Sequence, residues 1–275
     1  MTRILTVANQ KGGVGKTTTT VNVAAALAML GRRVLVIDLD PQGNASTALG
    51  IEHSEGTPDV YDVLTDSVPL SHIVQECEDI SGLLGAPATI DLAGAEIELV
   101  ASEGREFRLR QAIDDYVAEQ QGAGTPLDYV IVDCPPSLGL LTLNGLVAAR
   151  EVLLPIQCEY YALEGLSQLL RTVDMVAGHL NPDLHVSAIV LTMYDGRTRL
   201  ASQVVHEVRT HFGARVLDTV VPRSVRVSEA PSHAQTVLTY DPTSSGAIAY
   251  REVAEQLDVI DDLSATAPAI GENDG

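Results

Sequence analysis

The sequence predicts an α/β fold: a doubly wound, mostly parallel sheet with helices on both faces. Three observations point there. Apolar runs of strand length alternate along the chain with helix-length segments, as expected of βαβ units whose sheet is covered on both sides. A glycine-rich turn, Gly12 to Gly15, separates the first apolar run from the first helical one. Two further apolar runs end in carboxylates, Asp38 with Asp40 and then Asp133. Sheets of this kind place ligand chemistry at the C-terminal ends of their strands.

In chain order, Ile4 to Ala8 reads as a strand and Thr19 to Leu30 as a helix. In the turn between them, Gly12, Gly13 and Gly15 let the backbone bend sharply and aim N–H groups at one anion. The helix N-terminus behind the turn adds aligned dipoles and free donors. Lys16 would reach the β- and γ-phosphates of a nucleotide, and the Thr17 hydroxyl would ligate Mg²⁺. The usual pattern, G-x-x-x-x-G-K-[ST], wants glycine at position 10, where this chain has Gln10 followed by an additional lysine, Lys11. A turn that binds nothing is the alternative, and lysine usage argues against it. Lys11 and Lys16 are the only lysines in 275 residues.

Arg33 to Asp40 is a buried strand ending in two acids, and Pro41 to Asn44 a polar turn. Short helices follow around Val60 to Leu64 and Leu70 to Glu76, then a strand over Ile80 to Leu84. Asp91 to Leu99 fits helix or strand. Arg105 to Gln120 reads as a helix anchored by Phe107, Ile113 and Val117, and Gly122 to Pro126 as a loop. Leu127 to Asp133 is a strand whose last acid stands where an acid holds the water shell of Mg²⁺; an acid that caps the next turn is the alternative. Further strands are expected over Glu151 to Gln157, Leu184 to Met193 and Ala214 to Val221. Helices are expected over Leu163 to Leu180, Arg199 to Phe212 and Ser244 to Leu263. Residues 1–263 are expected to form one domain, and the small, polar, acidic residues 264–275 a disordered tail.

Composition narrows the function classes. No apolar run reaches the ~18 residues of a membrane span, and the first strand begins too early to leave room for a signal peptide. Cys77, Cys134 and Cys158 lie far apart without a C-x-x-C, and the seven histidines are scattered, so neither a disulfide framework nor a metal cluster is expected. The chain is expected to be cytoplasmic. Its net charge of −20 is uneven: Val34 to Gly104 holds no Lys or Arg, whereas Arg197 to Arg226 holds six arginines against Glu207 and Asp218. A solvated face and an anion-binding patch both fit such a run.

Lys11-Gly-Gly-Val-Gly-Lys16-Thr-Thr, Asp38-Leu-Asp40-Pro-Gln-Gly-Asn44 and Asp133-Cys-Pro-Pro-Ser137 occur in that order. Together with Thr192-Met-Tyr-Asp-Gly-Arg197-Thr and Val221-Pro-Arg223-Ser-Val-Arg226-Val-Ser-Glu-Ala-Pro231, they resemble the ParA/Soj partitioning ATPases. These belong to the deviant Walker A class of P-loop ATPases, with MinD and the nitrogenase iron protein. The resemblance spans residues 3 to 262 and implies ATP and Mg²⁺ as cofactors. It implies that the loop from Lys11 through Gly12, Gly13, Val14, Gly15, Lys16 and Thr17 to Thr18 binds nucleotide. Lys11 resembles the signature lysine that crosses into the partner's site in a homodimer with ATP sandwiched between the chains. Asp40 resembles the residue that positions the attacking water, while Asp38 and Asp133 would hold the metal through water. Met193, Pro222 and Arg223 would lie near the adenine, and Arg197 and Arg226 would bind double-stranded DNA without base readout. A ParB-type partner that stimulates slow hydrolysis, and a nucleoid location, are implied as well.

Other readings are weighed by single features. A MinD-like membrane cycle needs a basic amphipathic C-terminal helix, and residues 252 to 275 carry seven acids and no Lys or Arg. An iron-protein role needs cysteines that bridge a cluster between subunits. A metabolic ligase with the same loop, such as one of the biotin or cobyrinate pathways, needs a substrate pocket in place of the arginine patch. A ParA-like ATPase that positions another cargo stays open. The helix-turn-helix extension of longer ParA proteins, and so operator binding, is not expected.

Overall fold

The structure, a computed structural model, describes residues 1–159 and 162–260. The first half runs β1 (Arg3–Val7), α1 (Lys16–Met29), β2 (Val34–Asp38), α2 (Asn44–Leu49), α3 (Val60–Asp66), β3 (Gln75–Glu76), β4 (Leu83–Ala86), α4 (Leu92–Glu98) and α5 (Arg108–Gly122). There follow β5 (Tyr129–Asp133), α6 (Leu140–Ala148), β6 (Glu151–Gln157), α7 (Ala162–His179), β7 (His185–Tyr194) and α8 (Arg199–Phe212). The chain then forms β8 (Val216–Pro222), α9 (Val225–Glu229), α10 (Val237–Tyr240) and α11 (Ser245–Val259). The eight strands make one sheet in the order β3-β4-β2-β5-β1-β6-β7-β8. Every pairing is parallel except β3 with β4, so the doubly wound, mostly parallel sheet is borne out.

Side chains on a strand alternate between faces, and this alternation feeds two cores. Leu35, Ile37, Val130 and Val132 point into one, which α3 to α8 cover. Leu5, Val7, Val36 and Ile131 point into the other, under α1, α2, α10 and α11. Helix α1 is buried on almost every side, and its run Ala24-Ala25-Ala26 keeps it slim enough to lie between the sheet and α11. Because both faces are covered, the central strands read as unbroken apolar runs rather than as alternation.

Register sets the geometry of the site. Asp133 at the end of β5 pairs with Val7 of β1 on one side and with Asp38 of β2 on the other. The glycine loop and both acids therefore emerge side by side at the C-terminal edge of the sheet.

Several boundaries differ from expectation. Asn44 does not close a turn but starts α2, and the chain enters that helix through Gly43 in the left-handed region. Leu70 to Glu76 is not a helix: a 3-10 turn, Leu70–His72, gives way to β3 on the sheet edge. The strand expected over Ile80 to Leu84 begins later, at Leu83, after a left-handed Gly82. Asp91 to Leu99 resolves as helix α4. In α5 the buried anchors are Leu109, Ile113 and Tyr116, while Phe107 stays exposed in the preceding 3-10 turn. Helices α6, α9 and α10 were not foreseen. The end expected for the last helix, residues 261–263, and the tail 264–275 lie outside the described residues.

Candidate functional site

Gly13 and Gly15 take φ of +74° and +88°, the left-handed region that a side chain disfavours. A Cβ on Gly12 or Gly13 would meet nothing within 4 Å, so open space lies along that stretch. Gly15 is also the N-cap of α1, and no side chain caps that helix. Its first N–H groups are therefore free to bind an anion. The loop itself is pinned from below: Asn9 donates to Pro155 O at 2.8 Å and accepts from Lys11 N, and Thr192 donates to Val14 O at 2.8 Å.

Lys16 is buried, and its ammonium has one long contact among the described residues, 3.5 Å to Lys11 O. Burial lowers its pKa against the pull of Asp133, Cys134 and Asp40. A buried cation with so few acceptors fits a polyphosphate.

The acids below complete the set. Thr17 and Thr20 each donate a hydroxyl hydrogen bond of 2.7 Å to Asp133, one to each carboxylate oxygen. Asp38 accepts from Asp40 N, Ser46 N and Ser46 Oγ. Both carboxyls are pushed upward, first by burial; the nearby Asp38 charge raises Asp133 further. Two buried anions in register, beside a threonine hydroxyl, fit a hydrated divalent cation, and hard oxygen donors suit Mg²⁺. Asp40 accepts from Gln42 N with one oxygen, and its other oxygen has no hydrogen-bond partner among the described residues.

Beside the loop is a cleft of about 170 Å³ lined by Gly15, Thr18, Met193, Pro222, Arg223 and Tyr250, among others. Met193 takes φ +53° there, a strain of about 1–2 kcal/mol for a residue with a side chain. The expected adenine contacts thus share one pocket with the loop. Lys11 reaches sideways to Glu159 at 3.6 Å, and Arg223 reaches the same carboxylate at 3.4 Å.

Arg197 and Arg226 sit just past the ends of β7 and β8, which pair through Tyr194 and Pro222. They share the C-terminal rim with the loop, but neither is a bare cation. Arg197, 88% exposed, holds Asp195 through two hydrogen bonds; the pair keeps the Asp195 carboxyl low, at about 2. Arg226 contacts Glu229 and Asp241. The excess of arginine between positions 197 and 226 is therefore partly neutralised by acids outside that stretch.

Sequence reasoning missed Asn9, Thr20, Ser46, Glu159 and Thr192. Thr20 alone carried a signal, since three residues after Thr17 lies the same helix face. Cys77, Cys134 and Cys158 are free and buried. Among the described residues no group of three or more His, Cys, Asp or Glu could hold a metal, and no helix is long and apolar enough to cross a membrane.

A family model described as AAA domain matches residues 2–186. The sporulation initiation inhibitor protein Soj of Bacillus subtilis is 52% identical, over 94% of this chain and 98% of its own length. The chromosome partitioning protein ParA of Myxococcus xanthus is 51% identical, over 93% and 87%. A solved structure from Mycobacterium smegmatis, named cobyrinic acid a,c-diamide synthase with bound ADP and magnesium, is 42% identical with a TM-score of 0.79 and covers 94% of each chain.

Proposed function

The chain belongs to the ParA/Soj family of P-loop ATPases, and from that premise we propose that it partitions chromosomes or plasmids by an ATP-gated cycle. It is an ATPase, with ATP and Mg²⁺ as its cofactors. In the cycle ATP closes a homodimer, the dimer binds duplex DNA without base readout, and a ParB-type partner stimulates hydrolysis and release. The observation that carries the reading is the convergence of the uncapped α1 N-terminus, the buried Lys16 and the Thr17–Asp133 pair on one sheet edge.

The residues divide the work. The loop N–H groups and Lys16 bind the phosphates and offset their charge. Thr17 would hold Mg²⁺, with Asp38 and Asp133 on its water shell, and the ion would supply positive charge to offset that of the phosphates. The free oxygen of Asp40 accepts a hydrogen bond from water and orients it for in-line attack. Lys11 serves the partner's nucleotide, and the cleft at Met193, Pro222 and Arg223 takes the adenine. Arg197 and Arg226 exchange their carboxylates for DNA phosphates. Two patches on one dimer face multiply a weak contact into useful affinity. We assign all of this to one domain, residues 1–263.

Sedimentation with Mg²⁺ and ATP or ADP tests the reading on wild type and on Asp40→Ala. The expected result is an ATP-dependent dimer that persists in Asp40→Ala because hydrolysis is blocked. A monomer in every nucleotide state contradicts it.

A second reading has the 42% identical synthase behind it. Amide synthesis would need a carboxylic acid to take the γ-phosphate and an amine to displace it. ATP turnover that rises with cobyrinic acid and ammonium, and not with DNA and a ParB-type partner, would favour that chemistry.

A further inference from the structure

Glu159 lies two residues beyond β6, at the rim of the nucleotide site. One carboxylate oxygen is 3.6 Å from the Lys11 ammonium. The other accepts from Gln157 Nε2 at 2.6 Å and lies 3.4 Å from the Arg223 guanidinium. Of the acids deeper in the site, Asp133 is engaged with Thr17 and Thr20 and Asp38 with Ser46, while Asp40 accepts from Gln42 N and makes no ion pair with Lys11 among the described residues. Among the described residues, Glu159 is the one carboxylate that ion-pairs with Lys11. Both partners are partly exposed, with side-chain exposures of 38% for Lys11 and 47% for Glu159, so the pair is weak enough to exchange.

This matters because of where Lys11 must go. On the dimer reading, on which this inference rests, Lys11 leaves its own subunit and meets phosphates on the other. It cannot keep the Glu159 contact while doing so. A carboxylate left beside incoming phosphates also repels them. We propose that Glu159 is a positioning residue that holds Lys11 on its own subunit in the nucleotide-free chain, so that ATP closes the dimer only by breaking this pair.

The size of the effect follows from the exposure. An exposed ion pair changes an equilibrium by about 1.4- to 5-fold. Each dimer breaks two such pairs, so the factors multiply to about 2- to 25-fold in the dimerisation constant. ADP binding does not require Lys11 to cross and changes less.

The test uses full-length wild type, Glu159→Gln and Glu159→Asp, with a non-hydrolysable ATP analogue and Mg²⁺, followed by sedimentation. Glu159→Gln is expected to dimerise at lower protein concentration, with Glu159→Asp returning towards wild type and ADP affinity nearly constant. Selective ¹³C-lysine labelling adds a direct readout, because the chain has only two lysines. Without nucleotide, Glu159→Gln should move the Lys11 side-chain resonance and leave that of Lys16 in place. Unchanged or weaker dimerisation of Glu159→Gln, or an unmoved Lys11 resonance, overturns the role of Glu159 while a dimerising wild type leaves the family reading standing. A wild type that never dimerises overturns both.

Discussion

Asp133 concentrates the tension of the site in one side chain: a buried carboxylate next to another, held by two threonine hydroxyls. An unfolded aspartate titrates near pH 4, and burial raises Asp133 above that in the folded chain. Between those two values the folded state holds more protons than the unfolded one. This contribution to the stability of the nucleotide-free chain therefore falls as pH rises through the window. Asp133→Asn removes the buried charge and keeps an oxygen for a threonine hydroxyl. Thermal melts without nucleotide should find it more stable than wild type at pH 8, by about 1 kcal/mol or a few degrees, with the gain gone near pH 4. Its hydrolysis should fall by about 100-fold or more, because in the proposed role the water shell of Mg²⁺ would lose a carboxylate. A lower melting temperature at pH 8 would contradict the account. Arg197 invites a second substitution. Asp195→Asn weakens the hold on its guanidinium and removes a negative charge from the proposed DNA face. Fluorescence anisotropy with ATP should show DNA binding tightened by about 2- to 5-fold; unchanged binding would place Arg197 away from DNA.

At the scale of elements, β1 and β6 are clamped at the edge opposite the nucleotide site. Arg3 on β1 makes a two-pronged pair with Glu151 at the start of β6, stacks on Tyr129 and donates to Leu257 O of α11. Glu151→Ala leaves that guanidinium without its carboxylate and should cost about 2 kcal/mol in urea unfolding, with ATP affinity preserved because the clamp is remote from the loop. Equal loss in Glu151→Gln would mean that charge rather than hydrogen bonding carries it. The central elements were legible in the sequence because their signals are local and strong. Strand β6 and helix α8 fall at the expected bounds, and the glycine loop, Asp38 and Asp133 meet as their places at strand ends foretell. The misses share a physical reason. Helix α6 is apolar nearly all round, without the polar face that marks an amphipathic helix. Strand β3 has two residues and exists only through pairing with β4. The carboxylates that hold Arg226 and Arg223 come from chain positions on either side of the arginine-rich stretch, a relation that charge counting along the sequence cannot reveal.

For the whole molecule, charge is polarised across the sheet. The stretch from Val34 to Gly104, free of Lys and Arg, supplies β2, β3 and β4 at one end, and the arginines follow β7 and β8 at the other. For a chain of net charge −20, the arginine end is the face that the proposed cycle presents to DNA, and one copy would offer few contacts. On the proposed cycle nucleotide gating would follow from counting: a dimer would double the phosphates neutralised, and the binding constant scales with a power of salt set by that number. The decisive measurement is binding to non-specific duplex DNA against salt, with ATP, ADP and no nucleotide, for wild type, Lys16→Ala and Arg226→Ala. Wild type with ATP should bind, with affinity falling steeply as salt rises. ADP and Lys16→Ala should abolish binding, and Arg226→Ala should reduce the salt slope by about 2, one contact per protomer. Equal binding by Lys16→Ala, or by wild type without nucleotide, would contradict the ATP-gated cycle.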